Sequence, residues 1–276
     1  MAENILREEG LPATTPRYQF QGKIDCLRCF ELELGRYYRD GQPSDYRYVI
    51  FDHVDELAFQ ECFEDDSAER LLMHSLVTYN FISHVIVLKM ITPMHEAVHR
   101  AFSEIFGTWY RGQEGRLMPQ GGAGIEGFTR KKSPDSSWNT TVLTPGRNRK
   151  WPTIIVEAGW TESMGKLKED VLFWLRDSEQ QVKVALTMNI TRRGSITIQQ
   201  WSSIQTAHKA SVKPTQTMRI TRNREVTSSQ HKISGSLHIK FEDCYLRSKR
   251  NNESDFTLSS EDMSEISTAV WIHLPE

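Results

Sequence analysis

Hydrophobic and polar positions change period several times along this chain. Residues 1–20 are polar and interrupted by proline, which predicts a tail or arm. Residues 28–38 have mixed helical character, and Gly41-Gln42-Pro43-Ser44-Asp45 reads as a loop. Within 47–66 a short strand over 48–51 precedes an acidic helix. Two β-rich runs at 71–79 and 84–90, separated by 80–83, predict a hairpin. Pro93 then opens a helix reaching about Trp109, with Met94, Val98, Ala101, Phe102, Ile105 and Phe106 at helical spacing.

Gly121-Gly122-Ala123-Gly124 breaks the chain before a strand over 125–130 and a second beginning near Asp135. Residues 144–150 form a loop, and 153–157 read as a short apolar strand of the buried kind. A helix over 162–176 places Met164, Leu167, Val171, Trp174 and Leu175 on one face. The runs 182–190 and 195–201 form a hairpin over Arg192-Arg193-Gly194. Beyond 205 the chain is polar until a strand at 236–241 and a helix over 262–271. The central order is helix, strand, strand, strand, helix, strand, which predicts an α/β core with a mixed sheet.

Composition adds few constraints. With 276 residues, 38% hydrophobic and 25% charged, the chain can bury a sizeable core. A net charge of -2 excludes a global field that would draw it to nucleic acid or membrane, so any such affinity must be local. Basic residues are uneven: Arg130-Lys131-Lys132 and Arg147-Asn148-Arg149-Lys150 flank the Asp135 strand, and Arg219, Arg222 and Arg224 cluster later. The plain reading of each run is a solvated face. Cys26-Leu27-Arg28-Cys29 is a lone CxxC, and with Cys62 and Cys244 it predicts reduced, partly buried thiols. No apolar run resembles a signal or a membrane span, so the expectation is an intracellular protein, cytoplasmic or nuclear, with no membrane partner.

Two arrangements could carry chemistry. Asp135 follows Pro134 at the head of one strand, and Glu157 closes the apolar run of the next. Two carboxylates on neighbouring strands can share a Mg²⁺ or Mn²⁺ ion, with waters and phosphate oxygens completing its shell. The plain alternative is a Ser-Pro-Asp turn and a strand-capping glutamate. Second, His95-Glu96-Ala97-Val98-His99 fits H-E-x-x-H, which on a helix sets two imidazoles on one face for Zn²⁺ with Glu96 as base. A peptidase of that type needs a third ligand, for which Glu114 and Glu126 offer no recognisable motif. The alternative is a helix flank with Glu96 favoured by the helix N-terminus. Trp138, Trp151, Trp160 and Trp201 could stack bases, with core packing the commoner use of such residues.

The segment 124–201 resembles the PD-(D/E)XK nuclease superfamily, in a fungal branch of restriction-endonuclease-like proteins. The resemblance rests on Lys132-Ser133-Pro134-Asp135, on Trp151-Pro152-Thr153-Ile154-Ile155-Val156-Glu157-Ala158-Gly159-Trp160, and on Ser163, Leu167 and the run from Asp170 to Leu175. It implies a restriction-endonuclease-like core with a mixed central sheet flanked by helices. That core is expected over 93–205, with extensions at 1–92 and 206–276. It also implies metal-dependent hydrolysis of phosphodiester bonds in nucleic acid, DNA included. Asp135 and Glu157 would be metal ligands, joined by Glu96 or Glu104 on the first core helix. Gly159 stands where the superfamily's motif has lysine, so the resemblance moves that role to Lys166 or Lys168 on the following helix. Arg130, Lys131, Lys132, Arg147, Arg149 and Lys150 would hold the phosphate backbone. A catalytically degenerate scaffold, acting as a nucleic-acid or protein interaction module or recruited to other chemistry, is the alternative, and a homodimer is left open.

Overall fold

The computed structural model describes residues 2–39, 47–65, 68–161, 164–205, 210–223 and 231–274. The loop expected at 41–45 and the first two residues of the helix expected from 162 lie outside them. In chain order the helices are α1 (Ala2–Glu8), α2 (Lys23–Arg39), α3 (Glu56–Phe63), α4 (Arg70–Ser75), α5 (Pro93–Arg111), α6 (Met164–Asp177), α7 (Phe241–Tyr245) and α8 (Ser260–Trp271). The strands are β1 (Arg17–Gln19), β2 (Tyr48–Asp52), β3 (Leu76–Asn80), β4 (Val85–Lys89), β5 (Leu117–Pro119), β6 (Ile125–Glu126), β7 (Arg130–Lys132) and β8 (Ser136–Thr140). They continue with β9 (Ile154–Trp160), β10 (Val184–Ile190), β11 (Ile196–Gln205), β12 (Ala210–Thr221), β13 (Lys232–Gly235), β14 (Leu237–Ile239) and β15 (Phe256–Leu258). The chain divides into two units, one of residues 1–91 with 124–133 and one of 92–123 with 134–276.

The first unit carries a six-stranded sheet in the order β1-β2-β4-β3-β7-β6. Residues 1–20, expected as a tail, instead supply a helix and an edge strand that pairs parallel to β2. Apolar burial and an ion pair explain the difference: Ile5 and Leu11 pack with Ile50, Val85 and Val87, and Arg17 Nη2 donates to Asp52 Oδ1 at 2.5 Å. The run expected as a strand from 71 begins as α4, because Leu71-Leu72-Met73 are strong helix formers. Strand geometry starts only near β-branched Val77 and Thr78. The turn into β4 is closed by Asn80, whose Oδ1 accepts from the amides of Ile82 and Ser83 at 3.1 and 2.9 Å.

The second unit is built on a seven-stranded sheet in the order β13-β12-β11-β10-β9-β8-β5. Strands β5, β8 and β9 form an antiparallel meander, and α6 crosses over so that β10 runs parallel to β9. The strand expected over 125–130 falls instead in the other sheet, as β6 and β7, and β5 takes its place. The second unit therefore runs α5, β5, β8, β9, α6, β10, an α/β arrangement with a mixed sheet flanked by helices. Every residue of β9 is buried, as a parallel strand covered on both faces requires. Its even positions, Ile154, Val156, Ala158 and Trp160, join the core of α5 and α8. Its odd positions turn to the opposite face, where Trp174 of α6 donates to Glu157. Sheet edges were expected for Asp135 and Glu157, but β8 and β9 are interior neighbours, with β5 outside β8.

Strand β12 fills part of a region whose polarity suggested no element. Among its residues of described burial, the buried apolar ones are Val212, Met218 and Ile220, and the rest are largely polar, so alternation is faint in sequence. Trp138, Trp151, Trp160 and Trp201 are all buried and serve the core. The four cysteines are free thiols, each buried. Among the described residues no helix is long and apolar enough to cross a membrane.

Helix α5 is set by Thr92, whose Oγ1 accepts from His95 N at 3.2 Å, and by Pro93 in its first turn. Its Phe106 ring lies 5.1 Å from Trp109, 5.1 Å from Trp138 and 5.2 Å from Phe256. Phe106→Ala therefore opens a cavity at the junction of helix and sheet, and should cost about 3–5 kcal/mol in denaturant unfolding. After α7, Arg247 Nη1 donates to Glu253 Oε2 at 2.6 Å, and Arg250 N donates to the same oxygen at 2.8 Å. The Arg247 hydrogen bond is the main cause of a Glu253 carboxyl pushed down to about 2. A lowered folded pKa means fewer protons bound when folded than when unfolded. The contribution of Glu253 is thus complete above the ordinary carboxylate range and lost as pH falls through about 2. Unfolding midpoints of wild type and Glu253→Gln should differ at neutral pH and converge as pH drops from 5 to 2.

Candidate metal centre

Residues His95, Glu96 and His99 lie in the first turns of α5, and His95 and His99 are one turn apart on the same face. Their ring centroids are 5.2 Å apart. Glu96 Oε1 sits between them, 3.4 Å from His95 Nδ1 and 3.2 Å from His99 Nε2. One ligand atom from each of the three lies within 4.8 Å of the others. Both histidines are buried, while Glu96 is half-buried. Glu96 Oε2 pairs with Arg100 at 2.7 Å, one turn further along. Contact with His95, then with His99, holds the Glu96 carboxyl well below the usual carboxylate range against the opposing effect of burial.

Asp135, the residue just ahead of β8, joins this cluster. Its Oδ1 lies 3.0 Å from His95 Nε2, and its Oδ2 accepts from Ala158 N at 2.6 Å. Ladder pairing between β8 and β9 begins at Ser136, opposite Val156. Asp135, one residue earlier, therefore stands abreast of Glu157, and its carboxylate takes the β9 amide that β8 starts too late to pair. The Ser-Pro-Asp sequence supports this: proline lacks the amide a strand would use, so extended pairing starts just beyond it.

Ser136 fixes the second histidine. Its Oγ is 3.1 Å from His99 Nδ1, and Ser103 Oγ donates to His99 O at 2.6 Å. An ionised Glu96 can only accept, so in a neutral ring Nε2 carries the His99 proton and Nδ1 accepts from the Ser136 hydroxyl. Were His99 to hold a cation through Nε2, Nδ1 would carry the proton and donate to the same serine, the outer contact that metal-bound imidazoles use. Sequence reading missed Ser136, Ser103 and Arg100. The signal was the stripe His95, His99, Ser103 at intervals of four on α5, which the two-histidine motif had already begun.

The remaining expected residues are placed as follows. Glu157 is buried and accepts from Trp174 Nε1 at 2.5 Å. Glu104 is exposed, two turns beyond Glu96 on α5. Lys166 is buried and forms an ion pair with buried Asp170, one turn along α6, whereas Lys168 is exposed. In the first unit Arg130 is buried and paired with buried Glu9 at 2.5 Å, Lys131 pairs with Glu64, and Lys132 is 1% exposed. In the second unit Arg147 Nη2 donates to Trp151 O at 3.1 Å and to Thr153 Oγ1 at 3.3 Å, bracing its own loop. Arg149 and Lys150 are exposed, with Lys150 Nζ 5.7 Å from the Trp151 ring centre.

The structure thus brings together two features that read as rivals in sequence. Glu96 and Asp135, candidates for a carboxylate site, share one cluster with the two histidines of the H-E-x-x-H run. Two imidazoles and two carboxylates are suited to a divalent transition cation, since magnesium is usually held by oxygen alone. No protein-family model matches the chain, and no curated protein does. A solved structure with some likeness is that of a candidate nuclease belonging to DUF820 from Anabaena variabilis, 11% identical, covering 50% of this chain and 76% of that one. With a TM-score of 0.35, that likeness carries no argument about this chain.

Proposed function

We propose that this protein is a metal-dependent hydrolase acting on phosphodiester bonds in nucleic acid. The observation that carries the reading is the cluster of His95, Glu96 and His99 with Asp135 3.0 Å from His95, at the start of the first core helix of a restriction-endonuclease-like sheet. Glu157 is abreast of Asp135 on the next strand, but its carboxylate turns to Trp174 on the opposite face of β9 and is not counted among the ligands. His95, His99, Glu96 and Asp135 would hold the cation, and their donor set favours Mn²⁺ or Zn²⁺ over Mg²⁺. A bound dication supplies Lewis-acid polarisation of a phosphate oxygen and a water acidic enough to ionise near neutrality.

The protein's own residues set the rest. Arg100 draws one Glu96 oxygen outward and leaves the other between the imidazoles. Ala158 N fixes Asp135, so its free edge faces His95 with little freedom to rotate. Ser136 selects the His99 nitrogen offered to a cation. A second reading, a scaffold that binds without hydrolysis, is favoured by Gly159 at the lysine position and by the engagement of Lys166 with Asp170.

Two measurements separate them. Calorimetric titration of Mn²⁺ and Zn²⁺ into protein stripped with chelator should show binding that His99→Ala weakens more than about 100-fold, since even outer-contact changes cost 10–100-fold. Ser136→Ala should weaken it by about tenfold. Nicking of supercoiled DNA with Mn²⁺ should fall at least about 100-fold in Asp135→Ala. Cleavage that survives Asp135→Ala and His99→Ala together removes the site from the reaction. Metal binding without cleavage of DNA or RNA selects the scaffold.

A further inference from the structure

The charge of this chain is segregated in a way that its net value hides. Residues 181–240 contain ten lysines and arginines and a single acid, Glu225, in a protein of net charge -2. This stretch supplies β10 through β13, the wing of the seven-stranded sheet farthest from β5, and then β14 of the two-stranded sheet. Register shows which groups share a face. Strands β11 and β12 slip by one residue between Gln200 and Trp201, making Thr215 the extra residue of a bulge. From there to the end of β12, Met218 and Ile220 enter the core while Thr217, Arg219 and Thr221 are exposed on the other face. Across the ladders Arg219 lies between Thr197 and Ser234, Thr217 lies beside Gln199, and Thr221 lies beside Lys232.

The β10–β11 turn closes the same end, because Ile190 pairs with Ile196, Ile196 with Ile220 and Ile220 with Ile233. It carries exposed Arg192 and Arg193. This turn is clamped: Trp271 Nε1 donates to Gly194 O at 2.6 Å, and Gly194 N donates to Thr191 O at 2.8 Å. Gly194 has φ +83°, and a Cβ there would lie 2.6 Å from Leu274 Cδ1 and 2.8 Å from Arg222 Cδ. Its arginines are therefore presented on fixed backbone. No described acid pairs with Arg193, Arg219 or Lys232.

We infer that this wing, through Arg193, Arg219 and Lys232, is a docking surface for the sugar–phosphate backbone of nucleic acid. Fixed cations interleaved with threonine, serine and glutamine donors are the groups that position a phosphate backbone without reading bases. A lipid surface fits less well, since peripheral membrane faces insert large apolar side chains beside their cations. None of the exposed large hydrophobic residues among the described ones lies on β10–β13. The inference deepens the proposed function by placing substrate on a rigid face of the unit that holds the metal cluster, and it rests on that reading for its substrate class.

The test is fluorescence anisotropy of a labelled 20-base-pair duplex of arbitrary sequence, in chelator so that cleavage is absent. Wild type should bind with affinity that falls steeply with salt. The double variant Arg193→Glu/Arg219→Glu should lose at least about tenfold and flatten the log–log salt slope by about two. Arg193→Gln/Arg219→Gln, checked by thermal melting, should show the same flattening without charge reversal. Unchanged affinity and slope in both folded variants overturns the inference, as does wild-type binding to phosphatidylserine vesicles but not to the duplex. Duplex binding lost in the variants, in a protein that cleaves nothing, upholds this surface and removes the hydrolase reading alone.

Discussion

The central constraint on the second unit is the parallel pairing of β9 with β10, buried along nearly its whole length. Parallel neighbours cannot be joined by a tight turn, so the chain must cross over through α6. Covering both faces then requires a second layer, which α5 and α8 supply. From this follow the two environments of β9: apolar residues toward α5 and α8, and the Glu157 carboxylate toward Trp174 of α6. The same strand's Ala158 amide, left over where β8 begins, holds Asp135. The cluster of imidazoles and carboxylates is thus a by-product of where a meander strand starts against a buried one.

Much of this was legible in the residues. Uniform apolarity at 154–156 announced a strand covered on both sides, and the helical spacing of Val98, Phe102 and Phe106 announced α5. What failed to show were elements whose stability comes from distant partners. Strand β1 exists because Arg17 meets Asp52, 35 positions away, and β12 because its few apolar residues complete a sheet already laid down by β10 and β11. Neither has a strong local period. At the site, the acids and the histidines were visible separately, yet nothing in linear spacing could show that His95 and Asp135 meet, 40 positions apart.

Charge is distributed with a similar economy. Several basic residues near Asp135 in sequence are spent on structure: Arg130 neutralises buried Glu9, and Arg147 braces loop carbonyls. The cations that face solvent on regular backbone belong to a later stretch, where the alternation of a strand, rather than a run of adjacent letters, gathers them. A cluster of Arg and Lys in a row says little about a surface, because neighbours in a strand point to opposite faces.

Both margins of the seven-stranded sheet are short. One is β5, three residues that end in Pro119, which has no amide to offer; the other is β13, four residues bearing exposed Lys232 and ending at Gly235. Gly235 has φ +80°, and a Cβ there would approach Thr217 O to 2.0 Å, so the strand stops where it bends. Proline, lysine and brevity are devices that deny an incoming strand a template. At these two terminal strands the sheet therefore resists extension by a further strand, so a partner meeting those margins would meet side chains before main chain.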